Sequence, residues 1–575
     1  MKPENCPVAI VGLGAIFPGA KDAASYWRNI VGAVDAITDV PASRWDEVFY
    51  DPTSSAADRF YCKRGGFVDE FATFDALGFG IMPVAAAGAE PDQLLALQAA
   101  QAALKDAGYS DAPFARERTS VIIGRGNYIG AGMTRLEQHV RTSEQLVSAL
   151  RSLLPDLTDE QLARVKSDFQ DNLGHYGADT AIGLVPNLTA SRIANRLNLS
   201  GSAYTVDAAC ASSLLAVDHA TAELASGQAD LVIAGGVHLS HDVAFWSVFC
   251  QMGALSRKQQ IRPFHEDADG LLIGEGVGMV ILKRLADAER DGDRIYAVIQ
   301  GTGIASDGRQ TSLMEPSVDG QLLALERAWQ GTGLEPNSVG LIEAHGTATT
   351  VGDAAELQTL QRFFGSAAKG ETRSVVGSVK SMIGHTMPAA GIAGIIKTAL
   401  ALYHRTLPPT LHCDAPHATM QATRFRVLSE PQSWEDSGLP VVAGVNAFGF
   451  GGINAHVVLK AHDAHRAAPQ SSPREEILLL AADSPAQLAS ALQTHSQPSG
   501  GACRLALVNP TPQRREKALK AIASGKARRG RDGLWFQTDG LLTQGGKIAF
   551  LFPGIEANYQ PRVDDVALEL GVTLP

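Results

Sequence analysis

The amino-acid sequence predicts an α/β protein whose core is built from two similar halves. Ala203–Val206 is typical of a strand, and it leads through a turn of small residues and Cys210 into a helical pattern. Ser374–Val379 repeats this order, with a turn that ends at His385 and a helix over Ala389–Leu402. A strand, a turn and a helix that recur in this way indicate a pseudo-duplicated α/β domain with a reactive side chain placed similarly in each half.

The first element is an apolar strand, predicted at Val8–Val11. Gly12–Gly19 follows it and superficially resembles a dinucleotide-binding loop. Phe17-Pro18 stands where that motif needs the start of a helix, so nucleotide binding is disfavoured. A helix is predicted from Pro91, because proline is favoured at the first helical position, to Gly108, which ends it.

A polar helical insertion is predicted over Leu136–Phe169, after a short buried strand at Val121–Gly124. Thr142–Gln145 and Thr158–Gln161 both have the spacing of a capping box, in which each side chain satisfies the other's backbone N–H group. Pro155 separates the two helices. We expect a helical excursion on the surface; a lid or a partner surface is the alternative.

The later elements of the core continue the alternation of strands and helices. Strands are predicted at Ala229–Gly236, Met279–Lys283 and Ala297–Gly301, and a helix at Ser317–Gly331. Asp267–Gly270 has part of the pattern of a calcium loop. Its glycine is misplaced and the closing glutamate is absent, so calcium binding is disfavoured.

The chain is predicted to contain three regions. They are a core over residues 1–460, a small α/β unit over residues 461–545, and the start of a further domain over residues 546–575. Ala461–Glu475 is rich in Ala, Pro, Ser and His, as linkers are. The small unit is predicted to have two strands and two helices, at Glu476–Leu480, Pro485–Thr494, Arg504–Val508 and Gln513–Ser524. Lys547–Gly554 begins a further element with too few residues after it for a domain. We therefore expect a piece of a longer polypeptide.

The composition excludes several classes of protein. The net charge of −12 disfavours nucleic acid as the main partner. The sequence has no apolar run of the roughly 18 to 20 residues that a membrane span needs, and its Gly- and Pro-rich start does not resemble a signal peptide. Six cysteines lie far apart without a Cys-x-x-Cys pair. This fits a reducing cytoplasm and offers no metal site and no disulfide framework.

Cys210 is the first candidate catalytic residue. It follows a strand and precedes a helix, where unpaired N–H groups and the positive end of the helix dipole favour a thiolate. We therefore expect its thiol pKa to lie below the usual value of about 8.5. Ala208, Ala209 and Ala211 leave room for another molecule to approach the sulfur. Taken alone, a buried cysteine in an apolar segment is more commonly a packing residue.

Two histidine stretches change that interpretation. Leu341–Asp353 contains a strand that ends at His345, followed by small and hydroxylated residues that can line a narrow tunnel. Gly377–Thr386 ends at His385. A helix-start cysteine together with two strand-end histidines indicates catalysis more strongly than any of the three alone. The loop Asn446–Asn454 adds glycines on both sides of Phe450, which allow a backbone close to a ligand and a mobile aromatic ring.

These motifs, in this order, resemble those of the β-ketoacyl synthases, which have the thiolase-like fold. The motifs are Asp-Ala-Ala-Cys-Ala-Ser-Ser around Cys210, His-Gly-Thr-Ala-Thr, Val-Lys-Ser-Met-Ile-Gly-His and Gly-Phe-Gly-Gly. The resemblance covers about residues 6–460 and implies a pseudo-duplicated, five-layered αβαβα core. Tyr61–Phe67 and His385–Gly391 look closer to iterative synthases, including polyunsaturated fatty acid synthases, than to modular enzymes.

The resemblance continues into the rest of the chain. Residues 461–545 are similar to the small α/β linker domain that joins ketosynthase to acyltransferase in multidomain polyketide and fatty acid synthases. Phe550–Gly554 resembles the opening of that acyltransferase, although Ile555–Asn558 departs from its usual Gln-Gly-containing run. An acyltransferase-like domain is therefore expected to start in residues 546–575.

The family's reaction is a decarboxylative Claisen condensation. The resemblance implies that Cys210 takes an acyl chain from the phosphopantetheine of an acyl carrier protein, and that a malonyl-type thioester then extends it. The backbone N–H groups of Cys210 and Phe450 form the implied oxyanion hole, and His345 and His385 stabilise the enolate. No cofactor is expected to bind directly, because the carrier protein delivers the phosphopantetheine.

Supporting roles also follow from the resemblance. Lys380 orients His385 and the acidic network, with Glu356 as a candidate partner. Thr347 and Thr349 bind the pantetheine amides, and Phe448 and Phe450 line the substrate site, Phe450 as a gate. A homodimer is implied.

The same residues bear on other interpretations. A thiolase has a second cysteine near its C-terminus where this chain has the Gly-Phe-Gly-Gly loop and a second histidine. Chain-length factors lack the nucleophile, and a loading decarboxylase replaces the cysteine with glutamine. A non-elongating, chain-length-factor-like or gatekeeping interaction domain within the same type of synthase is the alternative function. The basic stretch Arg514–Arg531 either docks an acidic carrier protein or, as we expect, forms a solvated helix face.

Overall fold

The computed structural model describes most of the chain. The described residues are 6–110, 113–127, 130–174, 176–239, 242–309, 312, 315–368, 372–462, 477–494, 496, 500–530 and 533–540. The chain divides into two compact units, Met1–His465 and Arg466–Pro575. The predicted start of an acyltransferase-like domain, residues 546–575, lies outside the described residues.

The first unit contains both strands and helices throughout its length. Its strands are β1 (Val8–Ile16), β2 (Ile37–Asp39), β3 (Arg64–Gly66), β4 (Thr119–Arg125), β5 (Ala203–Val206), β6 (Leu231–His238), β7 (Ile273–Gly274), β8 (Gly276–Arg284), β9 (Ala297–Ser306), β10 (Leu341–Glu343), β11 (Ser374–Gly377), β12 (Thr406–Leu407), β13 (Phe425–Arg426), β14 (Gln432–Ser433), β15 (Val442–Gly449) and β16 (Ile453–Lys460). Its helices are α1 (Ala23–Val31), α2 (Pro83–Ala87), α3 (Pro91–Asp106), α4 (Ala131–Glu137), α5 (Ser143–Leu153), α6 (Asp159–Asn172), α7 (Ala178–Gly183), α8 (Leu188–Leu197), α9 (Ser212–Ala225), α10 (Val243–Gln251), α11 (Leu285–Asp291), α12 (Val318–Trp329), α13 (Thr350–Phe364), α14 (Lys380–Ile383) and α15 (Ala390–His404).

The strand order confirms the duplication that the sequence predicts. In the first half the spatial order is β1-β8-β6-β4-β5, and in the second half it is β9-β16-β15-β10-β11. Numbered within each half, both orders read 1-5-4-2-3, with the 1-5 and 5-4 pairs antiparallel and the 4-2 and 2-3 pairs parallel. Three antiparallel residue pairs between β1 and β9 join the halves into one sheet, which β13 extends to 11 strands.

Helices on both faces of the two half-sheets give the five layers. The central layer contains α9 and α15, which follow the third strand of their halves and contact strands of both halves. Ser213 Oγ in the first turn of α9 accepts the N–H of Ile392 in the first turn of α15 at 2.9 Å. The outer layers contain α3 with α8 on one side and α12 with α13 on the other. This arrangement confirms the thiolase-like αβαβα core.

Strand β1 is longer than predicted, because residues 12–16 continue it instead of forming a loop. A Cβ atom on Gly12 would lie 2.4 Å from the carbonyl oxygen of Ala103, and one on Gly14 would lie 2.1 Å from that of Ala99. Helix α3 therefore packs directly on the strand backbone, and only glycine fits at these two positions. The glycines serve close packing between the helix and the strand, and they do not form a nucleotide-binding loop.

The helical insertion is present, but only one of its two predicted capping boxes forms. At the start of α6, the Thr158 hydroxyl oxygen accepts the Gln161 backbone N–H, and the Thr158 backbone N–H donates to the Gln161 side-chain oxygen. Thr142 instead has helical backbone angles, because a π-helical turn over residues 138–142 continues α4 into α5. A capping box needs an extended residue at the helix start, so this second prediction is wrong.

The second unit is a small α/β structure. Its four-stranded antiparallel sheet has the order β17-β18-β20-β19, from strands β17 (Ile477–Ala482), β18 (Cys503–Val508), β19 (Arg528–Arg529) and β20 (Leu534–Gln537). Helices α16 (Pro485–Thr494) and α17 (Pro512–Ser524) pack on one face of this sheet. The predicted strands and helices of this region are thus present.

Membrane-spanning helices and metal-binding clusters are both absent from the described residues. Within this part of the chain, no helix combines the length and the apolar character that crossing a lipid bilayer requires. The same residues include no group of three or more His, Cys, Asp and Glu side chains arranged to hold a metal ion.

Candidate active site

Cys210 lies in a tight turn between β5 and α9, as the sequence predicts. The Ser212 hydroxyl holds this turn, since it accepts the Ala208 N–H at 2.8 Å and donates to the Ala209 carbonyl at 2.6 Å. Ala209 has a φ of +48°, a strained value for a residue with a Cβ atom. The turn leaves Cys210 with only 3% of its surface exposed, at the end of the central layer.

His385 is in direct contact with the cysteine. Its Nε2 atom lies 3.1 Å from Cys210 Sγ. The Met387 N–H donates to His385 Nδ1 at 3.2 Å, so in the neutral ring Nε2 carries the proton and points it at the sulfur. Backbone bonds to Leu272 and Gly274, at 2.7 and 2.9 Å, fix the position of the histidine.

His345 lies next to His385. The two ring centroids are 5.4 Å apart, and the Phe448 ring is 5.7 Å from that of His345. Glu356 accepts the backbone N–H groups of His345 and Gly346, both at 2.8 Å. The structure thus brings Cys210, His345 and His385 together from three remote parts of the sequence.

The thiol pKa differs from the prediction. Burial raises the pKa of Cys210 to about 11, and the charge of Lys380 and the backbone N–H groups of Phe450 and Cys210 counter only part of that rise. The expectation of a pKa below 8.5 is therefore wrong, because the sequence shows the helix start and does not show the loss of water around the sulfur. Burial, and after it the charge of Lys380, holds the pKa of both His345 and His385 well below 6.5. Both imidazoles are neutral at physiological pH.

Lys380 is buried among carboxylates. Burial lowers its pKa, and the charges of Glu343 and Glu356 act in the opposite direction. Glu343 forms an ion pair with Lys397 at 2.5 Å and accepts the Val379 N–H at 2.7 Å, which fixes the segment that carries Lys380. Glu343 and Lys397 were not predicted as site residues; the sequence signal was a single lysine inside the otherwise apolar helix α15.

The predicted pantetheine-binding residues lie on the loop that follows His345. The hydroxyl oxygens of Thr347 and Thr349 are 3.1 Å apart, Thr347 being buried and Thr349 half-buried. Ala348 between them has a φ of +61°, and its N–H donates to the Asp353 carboxylate at 3.0 Å. Asp353 also accepts the Phe264 N–H at 2.7 Å, and burial raises its pKa to about 7.

Phe450 lies in the predicted glycine loop and has 37% of its surface exposed. Its ring centroid is 6.3 Å from that of Phe249, which belongs to α10 and was not predicted. Gly451 and Gly452 have φ values of +85° and +80°, so this turn favours glycine at both positions. Phe448, by contrast, is buried.

A duplicated five-layer core that brings a cysteine and two histidines together defines a condensing enzyme of the thiolase-like class. Family models agree: "Beta-ketoacyl synthase, N-terminal domain" matches residues 5–288, and "Beta-ketoacyl synthase, C-terminal domain" matches residues 296–414. "Ketoacyl-synthetase C-terminal extension" matches residues 415–521. The chain belongs to the β-ketoacyl synthase family.

Among curated proteins, the chain is 32% identical to a polyunsaturated fatty acid synthase subunit of Thraustochytrium sp., over 98% of this chain and 22% of that protein. It is 35% identical to polyketide synthase PksN of Bacillus subtilis, over 80% of this chain and 8% of that protein. The chain thus spans less than a quarter of the length of these relatives.

Solved structures show the same likeness. The ketosynthase from module 6 of the bacillaene synthase of Bacillus subtilis 168, in a mutant form, is 30% identical with a TM-score of 0.67, over 90% of this chain and 85% of that one. A PfaC keto synthase–chain length factor is 32% identical with a TM-score of 0.70, over 85% of this chain and 52% of that one.

Proposed function

We propose that the protein extends an acyl chain held on Cys210 by decarboxylative Claisen condensation with a malonyl-type thioester. The observation that carries this proposal is the contact between the neutral His385 imidazole and the Cys210 sulfur, 3.1 Å apart, with the His345 ring 5.4 Å from that of His385. One nucleophile and two neutral N–H donors in one pocket suit a reaction with a covalent intermediate and an enolate.

The first half-reaction is acyl transfer. Cys210 Sγ attacks the carbonyl carbon of an acyl thioester, the carbon–sulfur bond to the carrier thiol breaks, and the thiol proton of Cys210 ends on the leaving thiolate. The N–H groups of Cys210 and Phe450, which already approach the sulfur, stabilise the tetrahedral oxyanion. One such donor contributes about 3 kcal/mol in other enzymes of acyl transfer.

The second half-reaction is condensation. A malonyl-type thioester loses its carboxylate as carbon dioxide, and the electron pair moves onto the thioester oxygen as an enolate. His345 and His385 donate to that oxygen, and the enolate carbon then attacks the acyl carbon on Cys210. The Cys210 thiolate leaves and takes up a proton from water. Because the negative charge develops only along the reaction path, fixed donors lower the barrier more than they tighten substrate binding.

A carrier protein that bears phosphopantetheine is the proposed donor of both thioesters. Thr347 and Thr349 lie beside His345 and suit hydrogen bonds to the pantetheine amides, and the exposed Phe450 ring suits a gate to the site. We further propose that the protein forms a homodimer and that residues 461–545 act as a linker. The six free cysteines favour a cytoplasmic location, which we also propose.

The test of the nucleophile is the Cys210→Ala variant. We expect it to lose self-acylation by an acyl thioester and to lose covalent labelling by cerulenin, while its melting temperature stays near that of the wild type. Intact-mass spectrometry measures both adducts. A variant that is labelled as strongly as the wild type would contradict the assignment of Cys210.

A chain-length-factor-like or gatekeeping domain is the second candidate, because the matched PfaC structure is that of a keto synthase–chain length factor. The presence of Cys210 favours elongation. Turnover of a malonyl carrier thioester, measured with and without an acyl primer, separates the candidates. Extension of the primer supports condensation, and acylation of Cys210 without extension supports gatekeeping.

A further inference from the structure

A chain of hydrogen bonds between buried side chains leads from helix α12 to the loop that carries His345. The Trp329 indole N–H donates to His456 Nε2 at 3.1 Å, and His456 Nδ1 lies 2.6 Å from Asn446 Oδ1. Asn446 Nδ2 donates to Glu356 Oε1 at 2.8 Å. Each of these four side chains has at most 5% of its surface exposed.

The direction of each hydrogen bond in this series follows from that of the one before it. An indole N–H can only donate, so His456 accepts at Nε2 and, when neutral, carries its proton on Nδ1. That proton is donated to the Asn446 carbonyl oxygen, which turns the Asn446 amino group towards Glu356. Burial lowers the pKa of His456 to about 3, so the ring stays neutral over the whole physiological range.

The His456 ring fits against the backbone only because residue 444 is glycine. A Cβ atom on Gly444 would lie 2.5 Å from His456 Cε1 and 3.0 Å from His456 Nε2. The imidazole therefore occupies the space of the missing side chain, on the strand that neighbours β16.

At its Glu356 end, this series of hydrogen bonds reaches the loop that carries His345. Glu356 accepts the N–H groups of both His345 and Gly346, and Asn446 is its third donor. Gly346 and Ala348 have φ values of +40° and +61°. Glu356 holds two successive backbone N–H groups, those of His345 and Gly346, so its orientation sets the course of the backbone that carries the His345 ring.

We propose that Asn446 and His456, fixed by Trp329, are positioning residues that orient Glu356 and, through it, the imidazole of His345 for condensation. This inference rests on the proposed function. Cys210 and His385 are held by separate contacts, from Met387, Leu272 and the backbone turn, so the chain serves the condensation half-reaction and leaves acylation of the cysteine intact.

The first test compares two variants of His456. His456→Phe keeps a planar ring and loses both hydrogen bonds, whereas His456→Gln keeps one donor and one acceptor. We expect His456→Phe to lower kcat for condensation about 10-fold to 100-fold, with KM for the malonyl thioester and the rate of Cys210 acylation changed less than about threefold. We expect His456→Gln, by contrast, to retain most of the wild-type kcat.

The second test reads the proton position by NMR of protein labelled with ¹⁵N-histidine. We expect wild-type His456 to be the Nδ1–H tautomer, and Trp329→Phe, which keeps an aromatic ring and removes the indole N–H, to shift it towards a mixture of tautomers. Trp434→Phe is the matched control. It removes a buried indole N–H that donates to the Pro440 carbonyl at 3.1 Å, outside this chain. It should leave the His456 signals and the ratio of the two half-reactions unchanged.

The outcomes separate this inference from the proposed function. Equal loss of acylation and condensation in His456→Phe, or an Nε2–H tautomer in the wild type, would overturn the positioning role alone. Wild-type protein that is acylated on Cys210 and never extends the primer would overturn the proposed condensation, and the positioning role with it.

Discussion

At the scale of single residues, the reactivity of Cys210 depends on what surrounds the sulfur. Burial favours the neutral thiol, while the Lys380 charge and two backbone N–H groups favour the thiolate. His385 places a neutral N–H donor at 3.1 Å, which suits a sulfur that gains negative charge only during the reaction. The free site therefore holds a neutral thiol.

This balance predicts the pH dependence of alkylation at Cys210. Because the pKa of the buried thiol is raised to about 11, the rate of modification by iodoacetamide should keep rising as the pH increases beyond 9. A free thiol of ordinary pKa, used as the control, is half-ionised at about pH 8.5, so its rate should level off within about one to two pH units above that value. Peptide mapping by mass spectrometry measures the rate at this residue, and a plateau below pH 8 would refute the prediction.

His345 gives a second prediction at this scale. His345→Ala removes a proposed donor to the enolate and leaves the contact between His385 and the sulfur in place. We expect malonyl decarboxylation to fall by about 100-fold or more and self-acylation to change little. Release of carbon dioxide and the intact mass report the two steps separately. Equal loss of both would contradict this division between the histidines.

The candidate site was largely visible in the sequence, and its electrostatics were not. The motifs around Cys210, His345 and His385 indicated that these residues act together. The direction of the thiol pKa was wrong, because desolvation depends on side chains from remote elements. His456 was missed for a similar reason, since Trp329, whose indole N–H donates to it, lies 127 residues away in the sequence.

At the scale of elements, the contact between β1 and α3 explains why the strand contains glycines. Local composition at Gly12–Ile16 favoured a loop, yet the close approach of the helix backbone requires residues without side chains. The boundaries of most other strands and helices followed from apolar runs and from Pro and Gly signals. Sequence patterns thus identified elements well, and they failed where tertiary packing decided the local structure.

This packing predicts the effect of Gly14→Ala. The added Cβ atom would lie 2.1 Å from the Ala99 carbonyl oxygen, in a backbone that cannot give way without moving α3. We expect a loss of about 3 kcal/mol or more in the free energy of unfolding. Gly227→Ala is the control: its Cβ atom meets nothing within 4 Å, and its φ of +72° should cost only about 1 kcal/mol. Urea denaturation measures both, and similar midpoints would contradict the packing argument.

At the scale of the whole molecule, burial of ionisable groups makes the stability depend on pH. Four buried histidines, His238, His345, His385 and His456, have lowered pKa values. Unfolding lets these groups take up protons below about pH 6.5, so their contribution to stability is present above that pH and is lost on acidification. Glu275 and Asp353, whose pKa values burial raises to about 7, act in the opposite direction.

His456 isolates the histidine contribution to this balance, in which Glu90 and Glu356, whose pKa values burial also raises, act with the two carboxyl groups. Because burial lowers the pKa of His456 to about 3, unfolding adds about one proton at this residue between pH 6 and 4. On acidification its contribution therefore lowers the free energy of unfolding by about 1.4 kcal/mol per pH unit. His456→Gln, which cannot titrate, should lose less stability than the wild type over this range, as urea denaturation at each pH measures. Equal losses in the two proteins would contradict this prediction.

The hydrogen bond between Ser213 and Ile392 has a consequence for the electric field inside the protein. It brings the first turns of the two central helices together, so the positive ends of two macrodipoles converge within a few residues of Cys210 and His385. Their partial charges add, and both helix starts are buried, which limits screening by water. The enzyme therefore presents a standing electropositive focus to any anion formed there, and the architecture itself supplies part of the catalytic power.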